Sequence, residues 1–150
     1  MLSRIYLFLI LILFLGGGFF YFSSNSSYKD SFQARIYYFL GNYKQAYEYA
    51  SSAYKQDEYN KMAFTVLTQS KIAKSYEKYI IQGNQYLQKI DSISTKEVFS
   101  PADRVRIKMM CEVMIDSYSE LSPTKLTDVV LQENAKKIHL KFKKLYTQLF

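Results

Sequence analysis

Chemistry in this chain would have to come from very few residues. It holds one cysteine, Cys111, and one histidine, His139. A nucleophilic thiolate needs a base to take its proton, and His139 is the sole imidazole that could serve. No supporting motif accompanies the pair. Cys111 lies beside Met109, Met110 and Val113, which points to a buried apolar thiol, and His139 follows the apolar position Ile138, which points to the edge of a core. With one cysteine there is no internal disulfide, and one cysteine with one histidine cannot make a Cys/His zinc cluster. Glu112, Asp116 and Glu120 recur every four residues and would share one helix face. Without histidine or a second carboxylate cluster, a solvated row or a partner for lysines is expected there ahead of a metal site. No phosphate-cradling glycine loop and no G-x-S-x-G elbow is present. The chain is therefore expected to have no catalytic, cofactor or metal residues and to be no enzyme.

The elements that would carry any function are helical. The 150 residues are 49% hydrophobic and 17% aromatic, which excludes a disordered chain, and only two prolines and five glycines interrupt them. From Ile5 to Phe22 no side chain is charged or strongly polar. As a helix, that run would span roughly 27 Å, close to the hydrocarbon thickness of a bilayer. A cleaved signal peptide is the competing reading, with Gly16, Gly17 and Gly18 near the expected cut. The run continues through Phe19 to Phe22 and no A-x-A follows, so an uncleaved anchor is favoured. Arg4 and the terminal amine precede it, favouring a cytoplasmic N-terminus. The expected organisation is a cytoplasmic stretch 1–4, a transmembrane segment 5–22, a linker 23–28 and a periplasmic helical domain 29–150. Abundant Lys, Tyr, Phe and Ile suit an AT-rich bacterial genome, and the expected location is a bacterial inner membrane.

Apolar periodicity predicts a hairpin of helices at about 29–40 and 43–54, broken by Gly41-Asn42. A third helix is expected from about Asn60 to Ala73, with Ala63, Phe64, Val66 and Leu67 inward. A fourth would place Tyr76, Ile80, Gly83, Leu87 and Ile90 on one face. Gly83 there either admits a close neighbouring helix or breaks the helix. Ser100-Pro101 and Asp103 should start a fifth helix with Ala102, Val105, Met109, Met110, Val113 and Met114 inward. A last helix, 124–150, carries Leu131, Ala135, Ile138, Phe142, Leu145 and Leu149 at spacings of four and three.

The first hairpin carries a pattern: Ala34 and Tyr37, then Gly41, Asn42 and Tyr43, then Ala46 and Ala53. This resembles a tetratricopeptide repeat, whose small and aromatic positions, G-x-Y turn and paired alanines fall in that order. The match covers about 30 residues. Asp30 stands where the repeat usually has an aromatic, and no proline closes it near Glu58. A second unit shifted by 34 residues keeps the period and loses the signature, since Gly41 maps to Ser75, Ala46 to Ile80 and Ala53 to Leu87. The resemblance implies an all-α protein with a short solenoid of two to three hairpins behind the anchor. It further implies a scaffold or adaptor binding other envelope proteins in a hetero-oligomeric assembly. By analogy, an accessory scaffold of a bacterial flagellar motor is one such setting.

Lys136, Lys137, Lys141, Lys143 and Lys144 flank the last apolar stripe against a single acid, Glu133. Three readings stand: a capping helix with a solvated basic face, an amphipathic helix on anionic lipid, or a helix offered to an acidic protein groove. Nucleic acid is not an expected partner, because the predicted orientation places this helix outside the cytoplasm and no nucleic-acid motif accompanies the charge. Eight tyrosines lie between Tyr28 and Tyr59, more than a small core can hold without stranding hydroxyls, so several should be exposed.

Overall fold

A computed structural model describes residues 6, 9–13, 15, 16, 26–95 and 100–150. All its regular structure is helical, with no strand among the described residues. The elements are α1 (Ser26–Phe39), α2 (Tyr43–Gln56), α3 (Lys61–Ser94), α4 (Pro101–Ser119) and α5 (Val129–Leu149). Residues 6, 9–13, 15 and 16 are also helical and exposed. Most of the expected anchor 5–22 and linker 23–28 lies outside the described residues, and among those described no helix is long and apolar enough to cross a membrane. The chain divides into two compact units, Met1–Ser70 and Lys71–Phe150, and the boundary falls inside α3.

In the first unit α1 and α2 form the expected hairpin. Gly41 adopts φ +74°, a left-handed conformation that costs a glycine little. This lets the Gly41 and Asn42 amides donate to the Tyr38 and Tyr37 carbonyls at 3.1 and 2.9 Å, closing α1. The Asn42 side chain then accepts from Gln45 N at 3.1 Å and opens α2. Small residues line the seam: Ala34, Ala46, Ala50 and Ala53 are fully buried, with Val66 of α3 beside them. Tyr43 is buried, Tyr28 and Tyr59 are exposed, and the other five tyrosines of this region are half-buried. Tyr37 stacks on Tyr49 at 5.3 Å.

In the second unit the latter part of α3 packs with α4 and α5 around Tyr76, Tyr79, Ile90, Ile107, Cys111, Met114, Ile138 and Phe142. Ser100 and Asp103 form a reciprocal capping box with Pro101 at the first turn. The Tyr146 hydroxyl donates to Glu112 at 3.2 Å and Arg104 donates to the Leu149 carbonyl at 2.9 Å, tying α5 along α4 in opposite directions.

Five expectations need correction. Residues 61–94 form one helix, so there is no break after Ala73 and no second hairpin turn at Ser75. Lys71–Ser75 contains neither Pro nor Gly, and the Ser75 hydroxyl donates to the Lys71 carbonyl at 3.2 Å without leaving the helix. α1 begins at Ser26, three residues before the expected start. The last helix begins at Val129, because Thr124 N donates to Thr127 Oγ1 at 2.8 Å in a local turn and Asp128 supplies the cap by accepting from Val130 N. Finally, α4 faces differently: Asp103, Ile107, Cys111 and Met114 are buried, whereas Ala102, Val105, Met109 and Val113 face out. Phe64, expected inward, is 55% exposed and leans on Tyr54.

Candidate functional site

The two residues best able to do chemistry are held as core. Cys111 is completely buried, and its thiol pKa is pushed up, first by burial and then by the Glu112 carboxylate. A thiol so placed stays protonated at neutral pH and is a poor nucleophile. His139 stacks on Tyr118 with ring centroids 4.1 Å apart. Its Nδ1 is buried without a hydrogen-bond partner, and its pKa is lowered by burial and then by Lys143. The ring is thus neutral at pH 7. Glu112 is engaged by Tyr146 and lies 3.7 Å from Lys108, while Asp116 and Glu120 are exposed. Among the described residues no three His, Cys, Asp or Glu side chains are placed to hold a metal ion.

Tyr79 is another buried polar group, with its hydroxyl donating to the Met114 carbonyl at 2.9 Å. Burial, with Tyr118 adding, raises its pKa to about 12. This is a structural bond that holds α3 to α4.

The features with functional reach are surfaces. The outward side of α4 and the end of α3 frame an open groove of about 460 Å³ in the second unit. Tyr86, Ile93, Met109, Met110 and Val113 give it apolar walls, and Lys89 and Arg106 stand at its rim. Met109 is 58% and Val105 56% exposed, so an apolar row at 105, 109 and 113 runs along the outside of α4. Flexible thioethers make such a wall adaptable to different apolar partners.

On α5 the apolar stripe is taken up by the second unit's core as far as Leu145: Ala135, Ile138 and Phe142 are buried and Leu131 and Leu145 half-buried, whereas Leu149, expected inward, is exposed. Lys136, Lys137, Lys141, Lys143 and Lys144 all remain exposed. The five cations therefore form an outward face whose helix has already spent its apolar side. The repeat-signature residues come together in the first unit, with Ala34, Ala46 and Ala53 in the seam, Gly41 and Asn42 in the turn, Tyr43 buried beside Tyr38, and Tyr37 half-buried.

Two features escaped the sequence reading. One is a buried polar tie: Asn60 donates to Ser27 Oγ at 3.0 Å and Ser31 Oγ at 3.2 Å, and accepts from Ala63 N at 3.1 Å as the cap of α3. Ser27 in turn donates to the Ala53 carbonyl at 2.9 Å. Asn immediately before an apolar helix was a signal for the cap but not for the serines. The other is the inverted face of α1, which buries Ser27, Ser31 and Ala34 and exposes Phe32, Ile36, Phe39 and Leu40. The four-residue steps 28, 32 and 36 were visible, but apolar residues are normally assumed to point inward. Comparison with protein-family models, curated proteins and solved structures returned no match to this chain.

Proposed function

We propose that this chain is a non-enzymatic scaffold or adaptor, anchored in a bacterial inner membrane by residues 5–22, whose helical domain binds other envelope proteins from the periplasmic side. The observation that carries the reading is the apolar groove on α4, where Met109 and Val113 are exposed, Tyr86 and Met110 are half-buried and Ile93 forms the floor, between Lys89 and Arg106. Exposed, continuous apolar rows with charged rims suit a partner's amphipathic helix, whose acidic residues would meet the two cations. The tetratricopeptide resemblance of 34–54 supports the same class of function, since helical repeats commonly assemble complexes. An envelope machine such as the flagellar motor is the setting that analogy offers.

A tagged full-length chain, purified in several mild detergents and analysed by quantitative mass spectrometry, should recover stoichiometric protein partners. Met109→Glu with Val113→Lys should lose them while retaining the wild-type helical spectrum. Absence of any stoichiometric partner would sink the scaffold reading. The rival reading, binding of lipid through α5, has the five exposed lysines in its favour but no remaining apolar stripe to insert.

A further inference from the structure

The outward side of α1 is built unlike that of the other helices of the first unit. Successive residues of a helix are separated by about 100°, which places Tyr28, Phe39, Phe32 and Ile36 within an arc of about 80°. Their exposures are 36%, 74%, 49% and 43%. Arg35 and Lys29, both exposed, fall about 20° beyond the two edges of that arc, and Leu40 just past the helix continues it on the Lys29 side. The Arg35 guanidinium lies 5.7 Å from the Phe39 ring centroid. The one acid of the helix, Asp30, is turned toward α2, where it accepts from Ser52 Oγ at 2.9 Å and Gln56 Nε2 at 3.0 Å. Apolar and aromatic side chains in the middle, cations at both margins and no carboxylate between them match the interface between headgroups and acyl chains. The apolar run ends at Phe22, and the four peptide steps to Ser26 span at most about 14 Å, so a bilayer that holds the run also holds the start of α1 against its surface.

We infer that α1 lies in the plane of an anionic bilayer surface, with Tyr28, Phe32, Ile36 and Phe39 among the upper acyl chains and Lys29 and Arg35 reaching lipid phosphates. α2 then rides on the far side of α1 from the lipid, because Ser27, Ser31 and Ala34 face it. The placement near the membrane rests on the anchored reading of residues 5–22, and the chemistry of the face rests on α1 itself. Of the other coverings for this face, a second copy or a partner helix would be indifferent to lipid charge.

The chain contains no tryptophan, so a single introduced indole reports without background. The full chain is reconstituted into vesicles of roughly three parts zwitterionic to one part anionic phospholipid, as Phe39→Trp and, for comparison, Glu48→Trp. Glu48 is exposed on the side of α2 opposite its buried alanines. The indole at 39 should emit at shorter wavelength and be quenched by acyl chains brominated near the headgroup, at least about twofold more than the indole at 48. Arg35→Gln in the Phe39→Trp chain should weaken that quenching in anionic vesicles only. Equal, water-like emission from both positions overturns the inference. So does a blue-shifted but unquenched indole at 39, which would place protein on this face. Co-flotation after an alkaline wash reads the anchor separately: a chain that floats with an aqueous indole at 39 loses only the α1 inference. A chain that washes off but is quenched on anionic vesicles loses only the anchor.

Discussion

Gly83 sits in the middle of α3, where replacing glycine by alanine would ordinarily gain about 1 kcal/mol in helix propensity. The structure reverses that sign. A Cβ at position 83 would lie 2.5 Å from Cγ2 of Ile138 and 3.1 Å from Cε of Met114. The methionine end can swing aside. Cγ2 of Ile138 is attached next to the α5 backbone, and the side chain is only 5% exposed, so it cannot retreat without moving the helix. Carbon atoms pack at about 3.5–4.0 Å, so α5 would have to give by about 1 Å, an overpacking strain of order 1–3 kcal/mol. Gly83→Ala should therefore destabilise by up to about 2 kcal/mol after the propensity gain is subtracted. Ile138→Ala, which costs about 2–5 kcal/mol alone, removes the obstructing methyl. On that background Gly83→Ala should become stabilising by up to about 1 kcal/mol, giving a coupling of about 1–3 kcal/mol, the strain relieved. Urea unfolding followed by far-UV circular dichroism, with hydrogen exchange at the α3 amides, measures both. A Gly83→Ala protein more stable than wild type, or a coupling below about 0.5 kcal/mol, would refute the close approach of α3 and α5.

Other expected outcomes concern buried polar groups. Asn60→Ala strands two serine hydroxyls as acceptors and removes the cap of α3; at about 1 kcal/mol for each bond lost, roughly 2–3 kcal/mol should go, with faster exchange at Ala63 N–H. Cys111 should resist iodoacetamide at neutral pH until the chain is unfolded in urea, and labelling at the rate of a free thiol in the native protein would contradict its burial. For His139 the sign is fixed by its lowered folded pKa. The neutral ring is favoured by the fold, so its contribution is complete above the unfolded value of 6.5 and is lost as pH falls through the lowered folded value. Thermal midpoints should thus drop on acidification below pH 6.5 more steeply in wild type than in His139→Gln. Tyr79→Phe should cost about 1 kcal/mol through the lost bond to the Met114 carbonyl and should abolish the tyrosine titrating near 12 in the ultraviolet pH titration.

Local signals were legible where one residue type has one use. Gly41 with Asn42, and Ser100 with Pro101 and Asp103, announced a helix end and a helix start that the structure places at those residues. The stripe of α5 was legible because, Leu140 apart, polar residues separate Ala135, Ile138 and Phe142, leaving one choice of buried side. α4 offered no such choice. Apolar residues at 105, 107, 109, 110, 111, 113, 114 and 115 surround the helix, so periodicity could not say which side packs, and the capping Asp103 went inward with Ile107. The continuity of α3 was obscured because a repeat period predicts a turn at Ser75, while the local chemistry of Lys71–Ser75 contains nothing to make one. The inverted face of α1 was hidden for a different reason: its inner side is chosen by the bond Ser27 donates to the Ala53 carbonyl and the bond Ser31 accepts from Asn60, which a hydrophobicity pattern ignores.

The seam between α1 and α2 is made of serines and alanines, and side chains this small present nearly the same profile at every turn. Packing alone would discriminate weakly between alignments that slide one helix along the other by a turn of about 5.4 Å. Asn60, at the start of α3, can meet Ser27 and Ser31 together in one alignment only, so the buried tie joins the bonds of Ser27 to the Ala53 carbonyl and of Asp30 to Ser52 and Gln56 in giving a smooth seam its resting position. Ser27→Ala, Ser31→Ala and Asn60→Leu combined should accordingly keep the helical content while splitting or broadening the amide resonances of α1, the signature of a hairpin that has kept its strength and lost its address.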